Sequence, residues 1–207
     1  MARIDDAFFR ERPAAAHLPP ALARVRHLRL KGRAMARRAT LHLISGLPCA
    51  GKTTYAQRLK AERDAAHLAL DRWLITSFGR YPVDVVGYDE HVRRVYACRE
   101  LIWSVAAELL RRDADVILDD GFFLRADRRH HVELAHGVGA AAAIHHIDTP
   151  ADVLRARLAA RNRAPEPFHF EITPEALDGF IAFYEPPSAD EGAELIVVRV
   201  AAAAPAV

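Results

Sequence analysis

Eight consecutive residues, Gly46-Leu47-Pro48-Cys49-Ala50-Gly51-Lys52-Thr53, complete the spacing G-x-x-x-x-G-K-[ST]. An apolar run, Thr40-Leu41-His42-Leu43-Ile44, leads into it, and a helix-competent stretch beginning at Lys52 leads out. In that context successive backbone N–H groups can cradle phosphates at a helix N-terminus, where the dipole favours negative charge. Gly46 and Gly51 permit backbone shapes and a close approach that a Cβ would block. Lys52 is then placed to reach β- and γ-phosphates, and the Thr53 hydroxyl to bind Mg²⁺, with Thr54 beside it as a further nucleotide contact. A chance Lys-Thr after an ordinary strand-to-helix turn is the competing account, and the flanking elements weigh against it.

Three further groups could complete the chemistry. Asp71 lies 19 residues beyond Lys52, at the predicted end of a second strand. Transfer of a phosphoryl group to an alcohol needs a group that orients the hydroxyl and accepts its proton, and a carboxylate there fits. An Asp before Arg72-Trp73-Leu74 would equally suit a helix N-cap. Asp119 ends the apolar run Val116-Ile117-Leu118, as a Mg²⁺-linked carboxylate would, since a hard cation prefers oxygen ligands. Asp120 could share that role, point to substrate, or simply form a turn before Gly121. Arg157 and Arg161 are four apart on one helix face, where they could neutralise charge on the transferred group; a solvated basic helix is the bland reading.

The elements that must position these groups alternate along the chain. Strand-like runs are predicted at 40–44, 67–70, 116–118, 141–147 and 194–200, with helices over 52–66, 89–112, 126–136, 150–161 and from Thr173-Pro174-Glu175 to before Pro186. Residues 73–87, with Gly79, Pro82 and Gly87, read as loop with a short helix. On the long helix Val92, Val95, Cys98, Ile102, Val105 and Leu109 share a face at spacings of three and four. This is the pattern of a parallel sheet covered by helices, and ligands gather beyond the carboxyl ends of such strands. Asp71, Asp119, Asp120 and Asp148 would then share one edge with the phosphate loop.

Composition sets the outer limits. The chain has 207 residues, 51% hydrophobic and 27% charged, enough for one globular domain with a sizeable core. Cys49 and Cys98 give no disulfide framework, which fits a reducing cytoplasm. No apolar run is long enough to span a bilayer, and no signal-peptide core stands at the start. The formal net charge of +2 does not by itself imply a nucleic-acid partner. Seven Lys or Arg residues and no acid fall between Arg24 and Arg38; they read as a mobile basic leader, as a segment preceding a true start at Met35, or, less in keeping with Pro13, Pro19, Pro20 and Gly32, as an arm for RNA, DNA or an anionic surface. The expected organisation is a poorly ordered extension over 1–39, a domain over 40–200 and a tail over 201–207. The histidine pairs His130-His131 and His145-His146 lack zinc-ligand spacing and read as surface or core.

Residues 46–54, Asp71-Arg72-Trp73-Leu74, 116–119 with Gly121-Phe122-Phe123 and Arg128, Arg157/Arg161-Asn162, and Phe183-Tyr184-Glu185-Pro186-Pro187 with Asp190-Glu191 together resemble the zeta-toxin-like P-loop kinases. That group is often labelled the AAA family of predicted kinases and is related to chloramphenicol phosphotransferase and polynucleotide 5′-kinase domains. The resemblance covers roughly Thr40 to Val200. It implies an α/β P-loop NTPase sandwich with a five-stranded parallel sheet and an Arg-bearing lid helix. It also implies ATP with Mg²⁺ and transfer of the γ-phosphate to a hydroxyl. Carried to matching positions, it makes Asp71 the base, Lys52 and Thr53 the phosphate and Mg²⁺ residues, and Arg157 and Arg161 the lid. One departure concerns Leu74, where polynucleotide kinases carry a substrate-binding Arg. The expected function is therefore a kinase of a small-molecule alcohol. A polynucleotide 5′-hydroxyl kinase and an ATPase switch without a transfer substrate are the alternatives.

Overall fold

The computed structural model describes residues 38–163 and 168–201. The predicted basic leader, apart from its last two residues, and the tail beyond Ala201 lie outside the described residues. Twelve elements follow in order: β1 (Thr40–Ser45), α1 (Lys52–Arg63), β2 (Ala66–Ala69), α2 (Leu70–Phe78), α3 (Val83–Val86), α4 (Tyr88–Arg111), β3 (Val116–Gly121), α5 (Arg125–Gly137), β4 (Ala141–Asp148), α6 (Ala151–Arg163), α7 (Pro174–Phe183) and β5 (Glu194–Arg199).

The five strands form one all-parallel sheet in the order β2-β3-β1-β4-β5. The chain leaves β1 toward one edge and later returns to fill the other, so a crevice opens at the carboxyl end of β1, between β3 and β4. β1 is buried on both faces, as a central parallel strand must be. One core packs α2, α4 and α5 against Leu41, Leu43, Leu118 and Ile144. The other packs α1, α6 and α7 against Ile44, Ile117 and Ile147. Among the described residues no helix is long and apolar enough to cross a membrane.

Two expectations are corrected. Leu70 opens a nine-residue helix rather than ending the strand, and the helix in the stretch read as loop with a short helix over 73–87 is longer than expected, because Leu70 and Leu74, four apart, are buried against the sheet and Gly79 terminates the turn in a conformation open to glycine. On α4 the buried stripe runs Cys98, Ile102, Ala106 and Leu110, while Val105 faces outward at 38% exposure. A 3.6-residue turn drifts off a strict three-four spacing over so long a helix. The start of α7 is as read: Thr173 caps it by accepting the Ala176 N–H, with Pro174 at the tolerated first position.

The inner face of the sheet holds a buried polar chain. The Tyr55 hydroxyl lies 2.8 Å from His145 Nδ1, His145 Nε2 2.9 Å from His42 Nδ1, and His42 Nε2 3.7 Å from the Asp115 carboxylate. One tautomer set serves all three contacts: Tyr55 donates to His145, His145 to His42, and the His42 Nε2–H faces Asp115. His145 is thus a neutral element of the core. Burial, then the neighbouring His42 and Arg63, hold the His145 pKa down at about 3.

Candidate active site

The phosphate loop joins β1 to α1. Gly46 is tied to the neighbouring strand by its N–H, which donates to the Gly121 carbonyl at 3.0 Å. A Cβ on Gly46 would press on Ile147 at 3.0–3.3 Å. Gly51, at φ 99, ends the loop in a left-handed turn as the last residue before α1. The carbonyl of Ala50 on the outer side accepts from Thr149 Oγ1 at 3.1 Å and Arg157 Nη1 at 2.9 Å, and Arg157 also reaches Cys49 O at 3.3 Å. The loop is therefore clamped from β4 and α6 and left open toward the cleft.

That cleft, about 2810 Å³, runs from the loop past β2 and β3 to α2, α4 and the segment before α7. Lys52 projects into it, its ammonium donating to Leu47 O at 2.9 Å. Burial lowers its pKa, opposed by the charges of Asp119 and Asp71. Asp71 lies in the first turn of α2 rather than at a strand end. It is not the cap, since the N-cap position is Ala69 and no side chain caps the helix. Among the described residues its carboxylate has no hydrogen-bond partner. The residue is exposed on the cleft wall. Burial pushes its pKa up to about 6, with Lys52 pulling it down and Asp119 and Asp120 adding to the rise. A carboxylate near neutrality facing an ammonium can take up a proton.

Asp119 and Asp120 part company. Burial acts to raise the Asp119 pKa, but hydrogen bonds from His67 and Thr53 and the Lys52 charge outweigh it, and the group is held low. His67 Nε2 lies 3.4 Å from Asp119 Oδ2, and Gln57 approaches the other ring nitrogen at 3.3 Å. Asp120 is instead gripped by Arg99 through two contacts at 2.7 and 2.9 Å, with Asp127 at 3.7 Å from the same guanidinium. A bidentate pair of this kind ties α4 to the end of β3 and occupies the carboxylate.

Arg161 leaves its Nη2 buried with no hydrogen-bond partner among the described residues. A guanidinium N–H without an acceptor is costly, and an anion in the cleft would supply one. Two other positions singled out in the sequence have settled places. Arg155 is paired with Asp178 of α7 at 2.8 Å on the surface, and Leu74 is a core residue, 1% exposed. No set of three or more His, Cys, Asp or Glu side chains is placed to hold a metal among the described residues. Thr53 and Asp119 nevertheless suit Mg²⁺, which typically takes few protein oxygens and completes its shell with phosphates and water. His67, Arg99 and Phe123 also line this cleft, and the sequence reading gave them no role; Phe123 stands 5.9 Å from the Lys52 ammonium.

A five-stranded parallel sheet with a phosphate loop after its central strand is a P-loop kinase-like domain. The chain belongs to the AAA domain family, whose sequence pattern matches residues 41–187. A search of curated proteins finds no match. Among solved structures, a candidate kinase from Chloroflexus aurantiacus aligns at TM-score 0.63 and 20% identity, covering 79% of this chain and 89% of that one. Kti12 of Chaetomium thermophilum, solved with ADP-AlF3, aligns at 0.58 and 16%, covering 77% and 88%. A gluconokinase from Sinorhizobium meliloti aligns at 0.52 and 19%, covering 81% and 86%. At these identities the likeness is one of fold.

Proposed function

We propose that the protein is an ATP-dependent kinase that moves the γ-phosphate of ATP to a hydroxyl of a small-molecule acceptor. The observation that carries this reading is Asp71, which lines the cleft with Lys52, has no hydrogen-bond partner among the described residues, and has its pKa raised to about 6. A switch that only hydrolyses ATP has no need of a proton acceptor on that side.

In this reading residues 46–54 cradle the phosphates through backbone N–H groups, and Lys52 turns from Leu47 O to the β- and γ-phosphates. Thr53 and Asp119 hold Mg²⁺, which when bound offsets phosphate charge. Asp71 orients the acceptor hydroxyl and takes its proton. Arg161 meets charge on the transferred group, and Arg157 serves from the same helix, bracing the loop through the Cys49 and Ala50 carbonyls. The unit that carries the reaction is residues 40–200, with a cytoplasmic location. The nucleotide in the Kti12 neighbour supports nucleotide binding, and the gluconokinase supports an alcohol acceptor.

A screen with γ-labelled ATP against alcohol metabolites, aminoglycosides and 5′-hydroxyl oligonucleotides tests this. Label on a small alcohol is expected. Label on oligonucleotides alone would favour the polynucleotide reading, which the buried Leu74 argues against. Phosphate release with no labelled acceptor would leave an ATPase switch.

A further inference from the structure

Asp119, the carboxylate on which the Mg²⁺ reading depends, is held from a neighbouring strand. β2 and β3 run parallel, with His67 beside Ile117 and Ala69 beside Asp119. Alternation along the strands puts His67 and Asp119 on one face of the sheet, the face on which Ile117 packs in the core with α1. On α1 itself, Thr53 and Gln57 are four apart and share a side of the helix.

Four side chains from these three elements close on one another. His67 Nε2 lies 3.4 Å from Asp119 Oδ2, and Gln57 Nε2 lies 3.3 Å from His67 Nδ1. The Thr53 hydroxyl hydrogen-bonds the same carboxylate. Asp119 is held ionised and can only accept, so the proton that faces it sits on His67 Nε2. Nδ1 is then left as an acceptor, and the Gln57 amide N–H meets it. Both contacts are long, and burial supplies the rest of the hold: the His67 and Asp119 side chains are 6% and 5% exposed. An apolar residue would fill the place of His67 but would present no N–H to the carboxylate.

We infer that His67 is a positioning residue for the cation: it fixes one oxygen of Asp119, so that the carboxylate and Thr53 stand ready for Mg²⁺, and Gln57 fixes the tautomer that lets it do so. This rests on the reading above in which Thr53 and Asp119 hold Mg²⁺. A carboxylate free to rotate must be ordered as the cation binds, whereas this one is ordered beforehand. Partners that orient a metal's ligands typically contribute about 10- to 100-fold in affinity.

The test is the Mn²⁺ affinity of the protein with ADP bound, read from the electron paramagnetic resonance of free Mn²⁺, beside ADP affinity without metal by calorimetry. His67→Asn keeps an amide near the place of Nδ1 but none near Nε2. It is expected to weaken Mn²⁺ about tenfold or more while metal-free ADP affinity holds. His67→Gln, whose amide nitrogen stands near the place of Nε2, should stay within about threefold of the parent. Parent affinity for Mn²⁺ in His67→Asn, or an equal loss in both variants, overturns the inference. Should His67→Asn melt below the assay temperature, Gln57→Leu at an exposed position decides the matter. A loss of about threefold in Mn²⁺ affinity there supports the inference, and parent affinity overturns it. An Asp119→Asn variant that binds Mn²⁺ like the parent would instead sink the Mg²⁺ reading, and this inference with it.

Discussion

Replacing Asp71 by Asn should move activity and stability in opposite directions. The amide keeps the size and shape of the carboxylate but cannot take a proton at neutral pH. A positioned general base contributes about 10² to 10⁴ in rate, so transfer should fall by that order while ATP affinity holds. The fold should gain. A carboxyl whose pKa is raised from 3.8 to about 6 favours the folded state when protonated. That contribution is full below 3.8 and is lost as pH rises through 6, so at pH 7 the ionised group is a net cost. The ceiling is about 3 kcal/mol, and cleft water screens the charge, leaving about 1 kcal/mol. Asn should therefore raise Tm by about 2–4 °C for a domain of this size. The parent's kcat/KM should also fall tenfold per pH unit below about 6, a limb absent in the residual activity of the variant. The assays are labelled-phosphate transfer across pH and calorimetric melting. An Asn variant that transfers at the parent rate would remove Asp71 from the chemistry. One that melts lower would refute the account of its burial.

Three other outcomes are expected. Arg161→Ala should lower kcat by about 10³ or more, as for arginine fingers, with ATP affinity little changed, while Arg155→Ala, which loses only a surface pair with Asp178, stays near the parent rate; equal small losses at both would reduce the helix to a solvated surface. Acid should weaken the fold through His145. Its folded pKa of about 3 lies below its ordinary 6.5, so stability present above 6.5 is lost as pH falls toward 3, about 2 kcal/mol of it by pH 5, and His145→Gln should flatten that part of the urea-midpoint profile. Arg128→Met strands the Glu191 carboxylate out of solvent and should cost about 3–5 kcal/mol by denaturant unfolding, against a much smaller loss when Glu191→Leu is added; equal losses would show that the charge is not the cause.

What the sequence disclosed is what is written locally. The phosphate loop, the carboxylate that closes the apolar run of β3 and the Thr173-Pro174 helix start each lie within a few residues, where spacing carries the physics. The helix over Leu70–Phe78 was also present as a spacing, Leu70 to Leu74, but glycine and proline just beyond it suggested loop. The pairings that give these groups their character were not legible. Gln57 and Asp119 meet on His67, Arg99 and Asp120 are 21 residues apart, and Arg128 and Glu191 are 63 apart. Only the folded sheet brings such partners together, and an isolated Arg or His in a string of residues does not announce which carboxylate it will face. The split between Asp119 and Asp120 was open for the same reason: α4 decides it, by delivering Arg99 to the second.

The contacts that hold the phosphate loop and the Phe123 ring set an order of assembly. The loop at 46–53 is held by contacts from β3, β4 and α6, all in place once residue 163 has emerged during synthesis. Phe123, on the cleft wall, waits for Phe180, which packs against its ring, and for Glu185, whose N–H donates to its carbonyl; both emerge later. Leu177 of α7 also belongs to the core that packs α1 and α6, so the helices that back the loop wait for the same late segment. Chains stalled or clipped ahead of residue 177 would lack both supports, and the carboxyl end, where sequence motifs are sparse, completes the site that the phosphate loop begins.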